Sequence, residues 1–595
     1  SGPTQTNTTD GPIIWSGLLK QLSGQSGLLQ RGIPKTEQRR RIGRKRKEEI
    51  MGRGGCAVPP ETDRDVAPDA ATPRDRKSGS PDRKISPDLL AAKSTPSECW
   101  ICHDGVVYDA THWLGKHPGG MRTVLSNSGR DATAVMNAVH DARVLGMALR
   151  GMRKVGILDK KTASTSDGAM EETEEKKSKD VIDPAMSKAE KAASIERDFK
   201  ELDQQLHAEG WYDPRPFEYW APVLRCAVIL SVGVGLTLWG RNSDFWGEDF
   251  LGLASFLTGS TFLGLFLQQI AFVGHDAGHG SVTGSFSSDA TLGLIVGNAL
   301  AGIDIGWWKS THNVHHGATN SLHDDPDIQH LPIFCFDEEL VHGGNGKQGV
   351  EKGEEEGMWS TYHGRFMTAN ELARKLMRFQ HLYFYPVMAF ARFNLYIQSI
   401  IHLVLVCPFR KGDDVIGTKE NKVGYAWGRL TPARWMMHVL SLSTFYALWY
   451  ALLSKFDLIH AALCLTVSHV VAGVLHVQIL MSHAAMDYHR HCHSGDSIPR
   501  IDPAAGFHEL QALTTLDVVC PPHMDWVHGG LQFQLEHHLF PRIPKHRLRG
   551  LIPHVDAIFV KYGVPVVRKP FLEANVMVLQ HMKRVGRNVS RGKYA

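Results

Sequence analysis

"HNVHH" spans residues 312–316 and places three histidines at i, i+3 and i+4. Histidine is a middling helix former, so helix propensity does not explain the repeat. On a helix, His312, His315 and His316 share one face. "HDAGH" (275–279) and "QLEHH" (534–538) follow the same logic. His275 and His279 lie one turn apart, and His537 and His538 add two more imidazoles. One histidine on an apolar face is ordinarily a core residue satisfied by a hydrogen bond. Three separate clusters at ligand spacing ask for metal, and imidazoles without cysteine suit iron, copper or zinc.

Around these clusters the chain is apolar. The runs 221–240, 251–272, 433–453 and 458–480 are each long enough to cross a bilayer, which takes ~20 residues. Two weaker stretches, 291–306 with Asp304 and 387–407 with Arg392 and Asn394, read as interfacial or re-entrant helices. HDAGH directly follows the second run. HNVHH comes after a segment too short to cross, and QLEHH after two more crossings. All seven histidines therefore face one side of the membrane. His469, His476 and His483 are spaced by seven and share a helix face within about 20°. At ~1.5 Å per residue only His483 reaches the level of the three clusters. His469 and His476 are expected to hydrogen-bond inside the bundle, and His381 receives no role.

The front of the chain is different. Residues 1–94 read as a disordered, basic tail with little apolar periodicity. It contains "RRRIGRKRK" (39–47), a solvated charge run, an attraction to anionic lipid or a nuclear signal. Residues 95–160 have the density of a small domain, 161–195 form a charged linker, and 196–580 form the membrane domain. Phe199, Leu202 and Leu206 share one face of a helix expected to lie on the membrane surface. The net charge of +4 over 595 residues gives no bulk basic character, and no nucleic-acid partner is expected. Nine irregularly spaced cysteines argue against a disulfide framework. "CWIC" (99–102) lacks the second pair that zinc would need, so it reads as two ordinary thiols. No signal peptide is evident, which leaves targeting to internal spans.

"HPGG" stands at 117–120, and His140 lies in "NAVHDA". Gly119 and Gly120 add no side-chain bulk, so the backbone can approach a flat cofactor. Two histidines that clamp an iron from both faces leave no position for O2, and such an iron only relays electrons. "VYDAT", "HPGG", "GRDAT" and the second histidine closely resemble the cytochrome b5 family. The resemblance implies haem b on His117 and His140. Zinc is redox-inert. A relay haem in the same chain therefore favours a second metal site that consumes electrons, and iron that activates O2 is the natural consumer.

HxxxH, HxxHH and QxxHH, in this order behind a haem domain, resemble the front-end desaturases of membranes, whose mark is the glutamine, here Gln534. "GWWKSTHNVHHGATNSLHDDPDIQHLP" and "MDWVHGGLQFQLEHHLFPRIPKHRLR" are similar to sphingolipid delta-8 desaturases. The resemblance implies a multidomain fold. A small α+β haem domain precedes an all-α membrane domain with about four transmembrane helices and a cytosolic histidine-rich cap. It also implies two non-haem irons with O2 as co-substrate, held by His275, His279, His312, His315, His316, His537 and His538. Gln534 stands beside them, and His483 is an added ligand. The implied setting is the endoplasmic reticulum membrane, multi-pass, with haem domain and histidine clusters cytosolic. NADH-cytochrome b5 reductase is the implied electron source, and ceramide or another sphingolipid the implied substrate. Delta-5 or delta-6 acyl desaturation and lipid hydroxylation are the alternatives. Asp276, Asp324, Asp325 and Glu536 are expected to orient imidazoles through their second ring nitrogens. Asp324 and Asp325 read equally well as loop charges.

Overall fold

"ECWICH" alternates its side chains between two cores, as a strand buried on both faces must. It forms the third strand of a five-stranded sheet. Its strands are β1 (Lys84–Ile85), β2 (Ser94–Thr95), β3 (Glu98–His103), β4 (Val106–Asp109) and β5 (Arg153–Leu158), in the order β1-β5-β4-β3-β2. Trp100 and Cys102 pack on one side with Ile85, Val107 and Val155. Cys99 and Ile101 pack on the other with Ala110, Leu114 and Val124. The two thiols of CxxC thus face opposite ways and cannot clasp one ion. Burial pushes the Cys99 thiol up to about 12.

The computed structural model describes residues 83–117, 119–159, 186–243, 249–342, 357–360, 362–363, 365–409, 415–416, 423–424, 430–489 and 505–591. The basic run at 39–47 and linker residues 160–185 fall outside them. The haem domain begins ahead of the expected boundary at 95. β1 pairs in parallel with β5, and Ser86 caps a short helix, α1 (Pro87–Ala91), which buries Leu90. Two-residue strands and a five-residue helix are too short to show periodicity, which is why the sequence there reads as tail. Helices α2 (Met121–Leu125), α3 (Thr133–Val139) and α4 (Ala142–Gly151) complete the domain.

The expected linker also ends early, because α5 (Lys188–Ala208) starts inside it. Ser187 and Glu190 form a reciprocal capping box that fixes its start. Phe199, Leu202 and Leu206 do share a face, as expected. That face packs on Phe533, Leu535, Leu539, Leu548 and Phe559 instead of lying on lipid. The helix buttresses the third histidine cluster.

Among the described residues, five helices are long and apolar enough to cross a membrane, one more than expected. They comprise α6 (Trp220–Trp239) within the span Pro216–Asn242, α7 (Phe250–His279), α10 (Gln380–Leu405), α11 (Pro432–Leu453), and the joined pair α12 (Leu458–Ala472) and α13 (Val474–Ala484). The added one, α10, contains Arg392. That guanidinium is wholly buried, donating to Tyr396 Oη and the Ala301 carbonyl, so it need not face lipid. The segment Phe286–Leu300, which begins with α8 (Phe286–Gly293), meets α9 (Ile305–Gly317) at a 109° bend. Of the interfacial and re-entrant readings of 291–306, the bend fits the re-entrant one.

The cap is not wholly helical. α14 (Phe507–Thr514) leads into β8 (Leu516–Val519), which pairs in parallel with β9 (Val567–Pro570) beside α15 (Gln534–Leu539). An antiparallel hairpin, β6 (Gly357–Ser360) and β7 (Arg365–Thr368), lies between α9 and α10 in the chain. α16 (Lys545–Lys561) and α17 (Phe571–Arg591) close the domain.

Candidate metal centres

The haem-domain pair is built from local bonds. The His117 and His140 rings stand 5.8 Å apart, centroid to centroid. His117 Nδ1 lies 3.1 Å from the Gly120 carbonyl, and His140 Nδ1 lies 3.0 Å from the Met136 carbonyl. Each carbonyl accepts from Nδ1–H, which leaves both Nε2 lone pairs available. Burial, with His140 alongside, pulls His117 down to about 4, so its imidazole is neutral at physiological pH. A side chain on Gly119 would put its Cβ 3.0 Å from His117 Cε1, and Gly120 has a φ of 89°. The backbone conformation therefore favours glycine at 120, and a side chain at 119 would crowd the His117 ring. The residues fit a haem held between two neutral imidazoles.

The second site joins distant pieces of chain. α7 brings His275 and His279 on its last turn, α9 brings His312, His315 and His316, and α15 brings Gln534, His537 and His538. α13 ends by placing His483 among them. Candidate ligand atoms of His275, His279, His312 and His537 lie within 4.8 Å of one another, as do those of His315, His483 and His538. His316 stands between the two groups. Its Nε2 is 3.0 Å from His312 Nε2, and its ring lies 4.3 Å from that of His538. Every histidine of the three clusters is therefore brought together, with His483. His381, His469 and His476 belong to neither group. His469 meets Tyr396 and the Leu465 carbonyl.

Three of the imidazoles are aimed by partners well away in sequence, and His275 by its chain neighbour. His315 Nδ1 faces Asp325, 2.9 Å from Oδ2. His538 Nδ1 lies 2.9 Å from Gln511 Oε1, and His483 Nδ1 lies 3.1 Å from the Thr514 carbonyl. His275 Nδ1 lies 3.2 Å from Asp276 Oδ1; Tyr219 and Lys545 fix the other oxygen of that carboxylate. With their Nδ1 atoms engaged, His275 and His315 leave Nε2 buried and without a hydrogen-bond partner. Nε2 of His279 and His537 is left the same way. Orphaned imidazole nitrogens converging in a buried chamber need a ligand, and an all-nitrogen donor set fits iron. Burial also holds His537 and His538 well below the ordinary histidine range, hence neutral, as a metal ligand must be.

Two of the four carboxylates orient imidazoles, Asp276 and Asp325. Asp324 binds the Ser321 hydroxyl. Glu536 faces away from the imidazoles onto Arg568, 2.9 Å distant, because its helix position opposes the ligand face. Sequence reasoning missed Gln511, the Thr514 carbonyl and Trp308. Trp308 stacks on His312 with centroids 4.4 Å apart and also walls His275 and His279. It reaches them because Gly278 has no side chain; a Cβ there would lie 2.0 Å from the indole. Gln534 Nε2 lies 3.3 Å from His538 Nε2 and 3.4 Å from His483 Nε2. An apolar cavity of about 420 Å³ between α10 and α11, lined by Leu403, Trp435 and Leu442, contains none of these histidines.

The family described as fatty acid desaturase matches residues 251–570, and the cytochrome b5-like heme/steroid binding domain matches 86–165. Delta(8)-fatty-acid desaturase 2 of Arabidopsis thaliana is 30% identical, across 84% of this chain and 93% of that protein. The Delta 8-(E)-sphingolipid desaturase of Lachancea kluyveri is 31% identical, across 66% of this chain and 60% of that protein. The acyl-lipid (9-3)-desaturase of Borago officinalis is 28% identical, across 84% and 92%.

Proposed function

Because the chain belongs to the fatty acid desaturase family and carries a fused cytochrome b5-like domain, we propose that it is a front-end desaturase of sphingolipids. It introduces a double bond at delta-8 of the long-chain base. The observation that carries this reading is the pair of imidazole groups, in which Nε2 of His275, His279, His315 and His537 is buried with no hydrogen-bond partner among the described residues. Two irons are assigned to them, one on His275, His279, His312 and His537, the other on His315, His483 and His538. His316 stands between. Haem b is assigned to His117 and His140. Iron with O2 and electrons supplies the oxidising power to take two hydrogens from unactivated methylenes, which no side-chain acid or base can do.

The chain's own residues set the conditions. Asp325, Gln511 and the Thr514 carbonyl hold His315, His538 and His483 with Nε2 directed inward. Trp308 covers one side of the chamber and excludes water from it. Gln534 offers an amide within reach of two imidazoles. NADH-cytochrome b5 reductase feeds the haem domain, and the protein resides in the endoplasmic reticulum membrane with both sites cytosolic.

Ceramide or a related sphingolipid is favoured by the delta-8 relatives; the borage relative favours an acyl-lipid substrate as the second reading. Expression in a host that makes saturated long-chain bases decides between them. Mass spectrometry should locate a new bond at delta-8 of the base. New acyl double bonds beside unchanged bases would overturn the substrate. No new bond in a protein loaded with both metals would overturn the desaturase reading.

A further inference from the structure

The haem domain meets the cap next to each of its two haem-ligand histidines. Arg542, four residues beyond His538, donates Nη1 to the carbonyl of His140 at 2.8 Å; its Nη2 lies 3.6 Å from Asp141. The Tyr212 ring backs its guanidinium at 5.2 Å. The HPGG loop touches Asn313, the residue after His312: a Cβ on Gly119 would lie 3.2 Å from Asn313 Nδ2. Beside it, Arg130 donates to the carbonyl of Gly317, the residue after His316, at 3.2 Å. Asn127 holds that arginine at 2.5 Å. A Cβ on Gly317 would lie 2.7 Å from Asn127 Nδ2, so the Asn127 side chain packs directly on the Gly317 backbone. At the rim, Arg122 covers the Tyr362 ring at 4.8 Å, and Lys200 Nζ lies 2.8 Å from Asp104.

These contacts share a pattern. Each haem-ligand segment touches a cap residue within four positions of a candidate iron ligand. His117 connects through Gly119 and Asn313 to His312, and His140 connects through its carbonyl and Arg542 to His538.

We propose that Asn313, Gly317 and Arg542 form the electron-entry face of the cap, and that its occupant is the chain's own haem domain, seated by both haem-ligand segments. Asn313 and Arg542 are positioning residues. In each transfer one electron leaves the reduced haem iron and one metal ion of the cap gains it. No bond is made or broken and no proton moves. The inference rests on the proposed filling of the imidazole groups with iron, but the docking itself does not.

The test uses the full chain with both metals, in detergent. A carbodiimide joins a lysine to a carboxylate without a spacer, so the docked state should yield a Lys200–Asp104 cross-linked peptide. Oxidation of the reduced haem by O2 is followed by its absorbance. Arg542→Glu should cut cross-link yield and slow haem oxidation about tenfold or more, at unchanged haem absorbance and iron content. Arg542→Lys should retain most of both. Asn313→Ala should slow oxidation while leaving the cross-link. An Arg130→Glu and Arg542→Glu double variant that keeps wild-type yield and oxidation rate overturns the proposal. Should Arg542→Glu fail to fold, the exposed rim decides. Asp104→Lys should slow oxidation about two- to fivefold, and added Lys200→Asp should restore it; no slowing overturns the proposal. Wild type without iron would defeat the desaturase reading and leave the cross-link to judge the docking.

Discussion

The two histidine sites differ in how their rings are held. In the haem domain each ring is aimed by a carbonyl three or four residues away: Gly120 for His117, Met136 for His140. In the cap only His275 is aimed by a neighbour, Asp276; the orienting partner lies 10 residues away for His315, 27 for His538 and 31 for His483. The chemistry explains the contrast. A relay haem needs two ligands and an accessible edge, which short turns supply. Oxidation of a methylene needs a dry chamber enclosed on every side, and only distant segments packed together enclose one. Independent construction implies independent failure. Alanine at His275, His279, His312, His315, His316, His537 or His538 should abolish product and leave haem absorbance intact. Alanine at His117 or His140 should remove the haem absorbance and leave iron content intact. Loss of haem absorbance in the cap variants would break the comparison.

The next test attacks the support behind the third cluster. Arg568 donates to Glu536, Asp517 and Asp556 at 2.9, 3.1 and 2.7 Å, and it is 22% exposed. Asp517 and Arg568 are also cross-strand partners of β8 and β9. Burial together with neighbouring Asp517 pushes Glu536 well above the usual carboxylate range. Burial pulls Arg568 down, yet the carboxylates around it, Asp517 foremost, hold it above its usual value. Arg568→Gln leaves two carboxyl groups facing each other in the interior. Removing one partner of such a cluster costs about 3–5 kcal/mol. Thermal melting of the membrane domain should fall with the haem-domain transition unmoved; a single shared shift would show that the two regions unfold together.

Orientation alone is a smaller effect. Asp325→Asn keeps the size and removes the charge that holds the His315 Nδ1 proton. Such outer partners are worth about 10–100-fold in metal affinity or activity. Iron content titrated against a chelator should drop by that factor. The haem domain has no counterpart, since its orienting groups are backbone carbonyls that substitution cannot delete. Wild-type iron affinity in Asp325→Asn would show that packing against His316, His483 and His538 suffices to aim His315.

What the sequence disclosed follows the same division. Spacing announced His275 with His279 and His312 with His315 and His316, because helix geometry acts over a few residues; HPGG gained its meaning from the resemblance of the segments around it. The apolar runs placed the clusters on one side of the membrane for the same reason. Gln511 and Trp308 were invisible because nothing local marks a glutamine that will meet His538 or an indole that will lie on His312. Glu536 misled because the letter beside two histidines says nothing of the direction its side chain takes. Arg392 misled in the opposite sense: a charge in an apolar run argued against a span, while its partners, Ala301 and Tyr396, cover it inside the bundle.

The smallest effect concerns where the haem domain starts. Its cores are slight, so edge pieces that a larger domain would ignore contribute measurably. β1 buries Ile85 completely, and α1 buries Leu90. Ser86 joins the two: its Oγ accepts from the Leu89 amide at 3.2 Å, and Pro87 occupies the first helical position. Replacing a serine cap by alanine costs about 1 kcal/mol. Ser86→Ala should therefore lower the temperature at which haem absorbance is lost by several degrees (about 4–8 °C per kcal/mol for so small a domain). The membrane-domain transition and the desaturase rate at low temperature should not move. A chain beginning at residue 83 should behave as the full protein does, and one beginning at 95 should lose haem more readily than Ser86→Ala does. Equal haem retention in all four proteins would return the domain boundary to residue 95. It would also mean that the parallel pairing of β1 with β5 adds nothing to the haem site.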